Sequence, residues 1–377
     1  MLAHPARRSG PPDGLRVLMD ATPLLGVRTG IGRFVEHLVD GLAGRPEIEL
    51  AATAFTVRGW RRLGSVLPPG VRHRGWPIPA RALRQAWLRA SWPPVELIAG
   101  RSAVFHATNY VLPPMRSTSG VLSVHDLSFL HLPDTVHATS LAYRELVPDG
   151  LRRAAVACSL TAFTADELAA TYGFPRDRIV VTPLGVGERW FEALPPSPEL
   201  RRRLRLPDHY LVFVGTREPR KGLPTLIEAH RQLVAENRDS APDLVLVGAE
   251  GWGQQADLGD RVHALPYLDQ AALPSLVAGS SALVMPSVYE GFGIPVLEGM
   301  AAGVPVVISD TGAMLEVAGG HASVFPVGDA ELLVQTLAAV VDGRRPDTDA
   351  ARRHAGNWTW ERCTDAAITA YRMAAGR

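Results

Sequence analysis

The hydrophobic pattern along the chain alternates between short apolar runs and longer segments of helical spacing, such as Pro224 to Glu236. This alternation is typical of parallel strands joined by crossover helices. In the first half it predicts strands at Leu15 to Met19, Leu50 to Phe55, Ala103 to His106, Gly120 to Val124 and Ala155 to Cys158. The pattern restarts in the second half, where it predicts strands at Tyr210 to Gly215, Leu244 to Val247, Ala282 to Met285, Pro305 to Ile308 and Ser323 to Phe325.

The restart of the pattern predicts an α/β protein of two doubly wound, Rossmann-like domains that face a central cleft. A chain of 377 residues also exceeds one ordinary core, since a domain takes roughly 100 to 200 residues. The turn-forming stretch Gly185 to Pro198 is the expected junction. We therefore predict a disordered tail over residues 1–14, a first domain over 15–185, a second over 186–356, and a C-terminal helix over 357–377 that could pack back on the first domain.

Composition narrows the partners and the compartment. Lys and Arg number 39 against 38 Asp and Glu, so the net charge of +1 gives no overall attraction for nucleic acid. The two cysteines, Cys158 and Cys363, are too few for a disulfide framework or a Cys-rich metal site. The start of the chain lacks the apolar core of a signal peptide, and no window resembles a transmembrane helix. We expect a cytoplasmic protein, with peripheral association at the inner face of the membrane left open.

The most informative segment runs from Pro286 to Gly303 and reads Pro-Ser-Val-Tyr-Glu-Gly-Phe-Gly-Ile-Pro-Val-Leu-Glu-Gly-Met-Ala-Ala-Gly. A predicted strand leads into a glycine-containing turn, and Pro295 stands where a helix should begin. The backbone N–H groups of Gly291 to Ile294 would then be unpaired at a helix start. Such a place, at the carboxyl end of a parallel strand, favours anions and hydroxyl oxygens.

Two glutamates flank this helix start. Glu290 lies in the turn and Glu298 one turn into the helix, so both could face one ligand. Carboxylates are acceptors suited to the vicinal hydroxyls of a sugar. The alternative is a pair of solvated surface glutamates beside a structural turn.

A basic turn follows the first strand of the second half, in Val-Gly-Thr-Arg-Glu-Pro-Arg-Lys-Gly-Leu from Val214 to Leu223. Basic side chains between a strand and a helix suit a diphosphate, which Arg binds in a bidentate manner and Lys as a point charge. Taken alone, the segment could equally be a solvated basic loop.

Two further segments follow strands of the first half. Gly30 and Gly32 open a helix in a loop where backbone amides could approach a phosphate, but the dinucleotide fingerprint of a nicotinamide enzyme is incomplete. His125 and Asp126 end the apolar run Val121 to Val124 and are expected to point into the cleft. A single buried histidine is, however, more often structural.

Together these segments resemble the family-4 GT-B retaining glycosyltransferases, in the mannosyltransferase-like subgroup of the glycosyl transferases group 1. The likeness rests on Pro-Ser-x-Tyr-Glu-Gly-Phe-Gly-x-Pro followed by Glu-Gly-Met-Ala-Ala-Gly-x-Pro-Val. It implies that Glu290 and the amides from Gly291 through Phe292 to Gly293 hold the donor hexose. Glu298 would bind the nucleoside ribose.

The same resemblance assigns roles in the other segments. Lys221 would neutralise the leaving diphosphate, and His125, beside Asp126, would lie against the donor sugar. The glycine loop would border the donor diphosphate and the acceptor entrance. Thr216 stands where many members carry an arginine, as in the subgroup with Gly-Thr-x-x-Pro-Arg-Lys, so the second charge falls to Arg220, with Arg217 as the competitor.

The function implied is transfer of a hexose from a nucleoside-diphosphate sugar, with GDP-mannose as first choice and UDP- and dTDP-sugars still open. The acceptor would be a glycan or lipid-linked molecule in polysaccharide or glycolipid assembly. We expect no cofactor and no required metal, because Arg220, Lys221 and helix N-termini can stabilise a departing diphosphate. Asp347 and Asp349 form an Asp-x-Asp only in a polar connector. The alternatives are a sugar-nucleotide epimerase on a similar scaffold and a non-catalytic nucleotide-binding partner.

The region from Ala51 to Gly100 is rich in arginine and tryptophan and holds a single acid, Glu96. Basic residues interleaved with tryptophans suit an anionic membrane surface or a lipid-diphosphate acceptor. They also suit a positive loop region whose tryptophans serve the first domain's core. Both interpretations stay open. The residues concerned are Arg58, Arg61, Arg62, Arg72, Arg74, Arg81, Arg84, Arg89, Trp60, Trp76, Trp87 and Trp92.

Overall fold

A computed structural model describes residues 14–26, 30–236, 240–252, 258–268 and 271–376, and residues 1–13 of the predicted tail lie outside them. The strands are β1 (Leu15–Asp20), β2 (Ile48–Thr53), β3 (Arg72–His73), β4 (Val104–Ala107), β5 (Ser119–Ser123), β6 (Ala154–Ser159), β7 (Ile179–Val181), β8 (Tyr210–Val214), β9 (Asp243–Val247), β10 (Val262–Leu265), β11 (Ala282–Met285), β12 (Val306–Ser309) and β13 (Ser323–Phe325).

Helices follow most of the strands, as the crossover pattern predicts. They are α1 (Gly30–Ala43), α2 (Leu63–Val66), α3 (Ala80–Ala90), α4 (Val95–Ala99), α5 (Ser128–His131), α6 (Tyr143–Arg153), α7 (Ala162–Tyr172), α8 (Glu188–Phe191), α9 (Pro198–Leu204), α10 (Leu223–Glu236), α11 (Ala272–Ala278), α12 (Ile294–Ala301), α13 (Gly312–Ala318), α14 (Ala330–Val341), α15 (Thr348–Ala355) and α16 (Trp360–Ala374).

The chain forms two compact units. The first comprises the described residues up to Val124, together with Glu145–Cys158 and the end of the chain from Ala367. The second comprises His125–Arg144 and Ser159–Ala366. These bounds differ from the predicted domain bounds, because two segments expected in the first domain, residues 125–144 and 159–185, group with the second unit.

The second unit contains a parallel sheet of order β10-β9-β8-β11-β12-β13. The chain leaves β8 toward β9 on one side and returns to β11 on the other, so the order reverses between β8 and β11. Ligands of such sheets bind beyond the carboxyl ends of the strands at this switch point. The basic turn follows β8 and the Glu290 turn follows β11, which makes them neighbours.

The first unit contains a parallel sheet of order β3-β2-β1-β4-β5-β6, which reverses around β1. Its core strand β4 is buried throughout. His106 of β4 lies 2.8 Å from the hydroxyl of Tyr371 on α16 through Nδ1, and 2.8 Å from Ser123 Oγ through Nε2. Each unit thus contains a parallel sheet of the α/β, Rossmann-like type that the sequence predicts.

All ten predicted strands are present, with ends shifted by a residue or two. The sequence prediction missed β3, β7 and β10, each of four residues or fewer. These strands lack a long apolar run, and in β10 no residue is fully buried. Within the described part of the chain, no helix is long and apolar enough to cross a membrane.

Candidate donor-sugar site

The two turns at the switch point of the second unit are in direct contact. Gly222 ends the basic turn with φ of +66°, and a Cβ placed on it would lie 2.0 Å from the carbonyl oxygen of Pro286. Only glycine permits both this conformation and this approach. The backbone N–H of Val288 also donates to the carbonyl of Arg220 at 2.8 Å. The turn after β8 is therefore fixed against the turn after β11.

Glu290 lies at the centre of this contact and is 5% exposed. Lys221 Nζ donates to its Oε1 at 2.6 Å, and Arg220 Nη1 donates to its Oε2 at 2.9 Å. Ser287 Oγ also donates to Oε1, at 2.7 Å. Burial alone would raise the pKa of the Glu290 carboxyl, but the charges of Lys221 and Arg220 and these hydrogen bonds lower it to about 2. Glu290 is therefore ionised at neutral pH.

Arg220 is the more heavily engaged of the two basic residues. Beyond Glu290, its guanidinium donates to the Tyr289 carbonyl at 3.2 Å and pairs with Glu218 Oε1 at 2.7 Å. Burial opposes its charge, yet Glu290, Asp126 and Glu218 together raise the pKa of Arg220. Burial also raises the pKa of Glu218. Lys221 and Arg220 thus lie against two buried acids, Glu290 and Glu218, whose pKa values are shifted in opposite directions.

Arg220 and Arg217, the two candidates for the second cation at the diphosphate, have different partners. Arg217 pairs with Glu250 Oε1 at 3.2 Å, on the loop after β9, and its N–H donates to the Ala249 carbonyl. Arg220 contacts Glu290 instead. Thr216, in the same turn, is half-buried and its carbonyl accepts from the N–H of Glu218 at 2.9 Å.

The turn after β11 presents backbone donors, as predicted. Gly293 has φ of +91° and immediately precedes α12. Within the residues that the structure describes, the N–H groups of Gly291, Phe292 and Gly293 donate no hydrogen bond. The ring of Phe292 packs edge-on against Trp358, with centroids 5.5 Å apart, so the side chain is engaged in packing. Glu298, on α12, is 1% exposed, not solvated as the alternative required.

The His125–Asp126 segment also reaches this turn. A Cβ on Gly291 would lie 1.9 Å from the His125 carbonyl oxygen and 2.9 Å from Asp126 Cβ. Asp126 Oδ1 accepts from the N–H and the hydroxyl of Ser128, at 3.0 and 2.7 Å. His125 is buried. The structure thus brings together the predicted residues His125, Asp126, Arg220, Lys221, Glu290 and Gly291.

Gly30 and Gly32 belong to the first unit, where they open α1; Gly30 is exposed and Gly32 is buried. Their part in donor binding stays a prediction. Asp347 is exposed and caps α15 by accepting from the N–H groups of Asp349 and Ala350. Among the side chains described, no group of three His, Cys, Asp or Glu residues is arranged to hold a metal ion.

Three contributors to the site were missed from the sequence, namely Ser287, Glu218 and Tyr289. Ser287 and Tyr289 lie within the Pro286 to Gly303 segment, so their place in its motif could have identified them. Glu218 offered none, because an acid in a basic loop is ordinary on a surface.

Comparison with known proteins agrees with the fold of two Rossmann-like units. Anabaena HepE in complex with UDP-glucose superposes with a TM-score of 0.68 over 94% of this chain and 99% of that chain, at 18% identity. At this identity the likeness shows the GT-B fold alone. Residues 197–357 match the family model of glycosyl transferases group 1, and residues 29–185 match that of the glycosyl transferase 4-like domain.

The second half of the chain thus belongs to the glycosyl transferases group 1 and the first half to the glycosyl transferase 4-like domain, and the chain is a glycosyltransferase. It is 28% identical over 390 residues to O-antigen chain mannosyltransferase B of Escherichia coli, across 95% of this chain and 100% of that protein. It is 32% identical over 239 residues to D-inositol 3-phosphate glycosyltransferase of Geodermatophilus obscurus, across 57% of this chain and 52% of that relative, about half its length. Membership favours the transferase over an epimerase or a non-catalytic nucleotide binder.

Proposed function

We propose that this glycosyltransferase moves mannose from GDP-mannose to a glycan or lipid-linked acceptor in polysaccharide or glycolipid assembly, with retention of configuration. The observation that carries the proposal is the Glu290 carboxylate held by Lys221 and Arg220 at 2.6 and 2.9 Å, at the switch point of a Rossmann-like sheet. The choice of mannose draws on the Escherichia coli relative, which is named a mannosyltransferase.

The pairing gives each residue a task when the donor binds. A diphosphate brings negative charge that draws Lys221 and Arg220 away from Glu290. The freed carboxylate then accepts hydrogen bonds from sugar hydroxyls, while the N–H groups of Gly291 to Gly293 donate to the sugar or the diphosphate.

In the reaction the bond between the anomeric carbon and the diphosphate oxygen breaks, and its electron pair stays on that oxygen. The acceptor hydroxyl oxygen forms the new bond on the same face of the sugar, and its proton passes to the departing phosphate. Lys221 and Arg220 stabilise the charge that develops on the diphosphate. In this proposal they fill the role that a metal ion has in other transferases.

A panel of sugar nucleotides tests the donor. Thermal unfolding is followed with GDP-mannose, UDP-glucose and a dTDP-hexose, and turnover is followed as nucleotide release. We expect GDP-mannose to raise the melting temperature most, because a ligand that binds only the native state stabilises it by mass action. A larger shift and faster turnover with UDP-glucose would reject mannose, and a product of inverted anomeric configuration by NMR would reject retention.

We further propose that the first unit binds its acceptor at an anionic lipid surface. One of the four tryptophans, Trp87, is buried in the core and donates to the Pro93 carbonyl at 3.0 Å. Trp60 is half-buried, and its ring is tilted against that of His73 with centroids 4.4 Å apart. The other two are exposed, Trp76 by 67% and Trp92 by 57%. Exposed indoles beside arginines are suited to a lipid headgroup region.

Helix α3 supplies the basic part of this surface. It buries Leu83 and Trp87 and leaves Arg81 and Arg89 exposed, with Arg84 half-buried. Arg81→Ala, Arg84→Ala and Arg89→Ala combined should reduce co-sedimentation with phosphatidylglycerol vesicles. The matched control replaces Arg202, Arg203 and Arg205, which are also exposed. No binding by the intact protein, or equal losses in both triple variants, would reject the surface.

A further inference from the structure

The hydroxyl of Tyr289 joins two parts of the second unit that are distant in sequence. It accepts a hydrogen bond from the backbone N–H of Leu127 at 3.0 Å and donates one to the carboxylate of Glu167. We infer that Tyr289 is a positioning residue, whose hydroxyl, fixed by Glu167, holds the His125–Asp126 segment against the turn that carries Glu290. The inference rests on the proposed function insofar as that turn holds the donor sugar.

Glu167 and His131 make the hydroxyl's position well defined. The second oxygen of Glu167 lies 2.9 Å from His131 Nε2, and the His131 ring lies 5.7 Å from that of Tyr289. His131 is the last residue of α5, and Leu127 immediately precedes that helix. The network therefore attaches both ends of α5, so it fixes the orientation of the segment just before it.

Glu167 is a firm anchor because α7, which carries it, is itself held at its start. Both oxygens of the Glu316 carboxylate accept from α7, one from Ala162 N and one from Phe163 N, each at 2.8 Å. Thr161 caps the same helix by accepting from Thr164 N, and its hydroxyl donates to the Gly291 carbonyl at 3.2 Å. The anchor and the sugar-holding turn thus belong to one connected network.

Tyr289 is also tied to the cationic side of the site. Its carbonyl accepts from Arg220, and the next residue is Glu290. Gly291 follows, in contact with the His125 carbonyl. Burial and the hydrogen bond to Glu167 raise the pKa of Tyr289, so its hydroxyl stays protonated and remains a donor. No other task is assigned to this hydroxyl by the proposed reaction.

Removal of the Tyr289 hydroxyl should let the His125–Asp126 segment move, while the residues that bind the nucleotide stay in place. Tyr289→Phe keeps the ring and the backbone carbonyl, so Lys221, Arg220 and Glu298 remain to bind the nucleotide. We expect kcat to fall by about tenfold or more, as expected when reacting groups lose their alignment, with KM for the donor changed by less than about threefold. The thermal shift given by GDP should be unchanged.

Glu167 provides the rescue experiment. Glu167→Gln keeps an oxygen that can accept from Tyr289 and should retain most of kcat, whereas Glu167→Ala should lose as much as Tyr289→Phe. The double variant Tyr289→Phe with Glu167→Ala should be no worse than either single variant, because both remove the same link. Additive losses would contradict a shared role.

The matched controls are Tyr267→Phe, at an exposed tyrosine, and Glu228→Gln, at an exposed pair with Arg231. Both should behave as the wild type. Wild-type kcat in Tyr289→Phe, or loss of the GDP shift together with kcat, would overturn the inference. If the wild type does not use GDP-mannose, only the proposed donor is rejected. The variants are then compared on whichever sugar nucleotide of the panel the wild type turns over.

Discussion

The backbone of Gly291 lies against the carbonyl of His125, so closely that a Cβ on Gly291 would sit 1.9 Å from the carbonyl oxygen. This contact joins the turn that carries Glu290 to the His125–Asp126 segment within the second unit. A side chain of any kind must therefore push the two segments apart. The glycine of the Glu-Gly-Phe-Gly motif is required here by space, since its φ is not in the left-handed region.

Gly291→Ala should consequently inactivate the enzyme without removing a functional group. Insertion into such a contact typically costs about 1 to 3 kcal/mol, and we expect kcat to fall by at least about a hundredfold because His125 and Glu290 separate. Steady-state kinetics and urea unfolding measure the two effects. The control is Gly187→Ala, where a Cβ meets nothing within 4 Å. Wild-type turnover in Gly291→Ala would show that the contact is dispensable.

Much of the fold could be predicted because the strands of a parallel sheet are covered on both faces and read as unbroken apolar runs. Strands β11 and β12 are buried at every position and were found within one residue of their ends. Strand β3 has two residues, neither of them buried, and β10 is only partly covered. Their pairing is set by neighbouring strands, which a local pattern does not reveal.

The candidate site was predictable to the extent that topology places strand ends side by side. The meeting of Arg220 and Lys221 with Glu290 follows from turns after adjacent strands β8 and β11. The bond between Tyr289 and Glu167, by contrast, spans 122 positions and depends on how α7 packs. Nor does a motif reveal that Arg220 and Lys221 pair with Glu290 itself, since their expected partner was a diphosphate.

Arg220 and Arg217 should differ sharply when replaced. Arg220→Ala removes the guanidinium that contacts Glu290, and Lys221→Ala removes the ammonium at 2.6 Å from it, so each should lower kcat by about a hundredfold to a thousandfold. Glu290→Ala should abolish transfer. Arg217→Ala, whose partner is Glu250, should lose less than about tenfold. Steady-state kinetics on the donor measure these losses, and circular dichroism checks that each variant is folded. A larger loss in Arg217→Ala than in Arg220→Ala would identify Arg217 as the second cation at the diphosphate.

Transfer should not depend on a divalent ion. The proposed charge stabilisation comes from Lys221, Arg220 and backbone N–H groups, so excess EDTA should change the initial rate by less than about twofold. The measurement compares EDTA-treated enzyme with the same sample after addition of Mg²⁺ or Mn²⁺. If EDTA lowers the initial rate and either ion restores it, a metal ion neutralises the diphosphate instead.

The two buried acids should respond to pH with opposite sign. The folded state lowers the pKa of Glu290 from its ordinary 4.5 to about 2, so between these values the unfolded chain binds more protons. The stability that Glu290 contributes, on the order of 3 kcal/mol, is thus complete above pH 4.5 and is lost as pH falls toward about 2. Burial raises the pKa of Glu218 instead, so its contribution is complete at low pH and is lost as pH rises through that pKa.

Urea unfolding of wild type, Glu290→Gln and Glu218→Gln, measured from neutral pH down to about pH 3, tests this pair of signs. The gap in unfolding free energy between wild type and Glu290→Gln should narrow as the pH falls, because the protonated acid comes to resemble the amide. As the pH falls over the same range, the unfolding free energy of the wild type should rise relative to that of Glu218→Gln. Two gaps that stay constant with pH would mean that neither carboxyl has the buried, charge-coupled environment described for it.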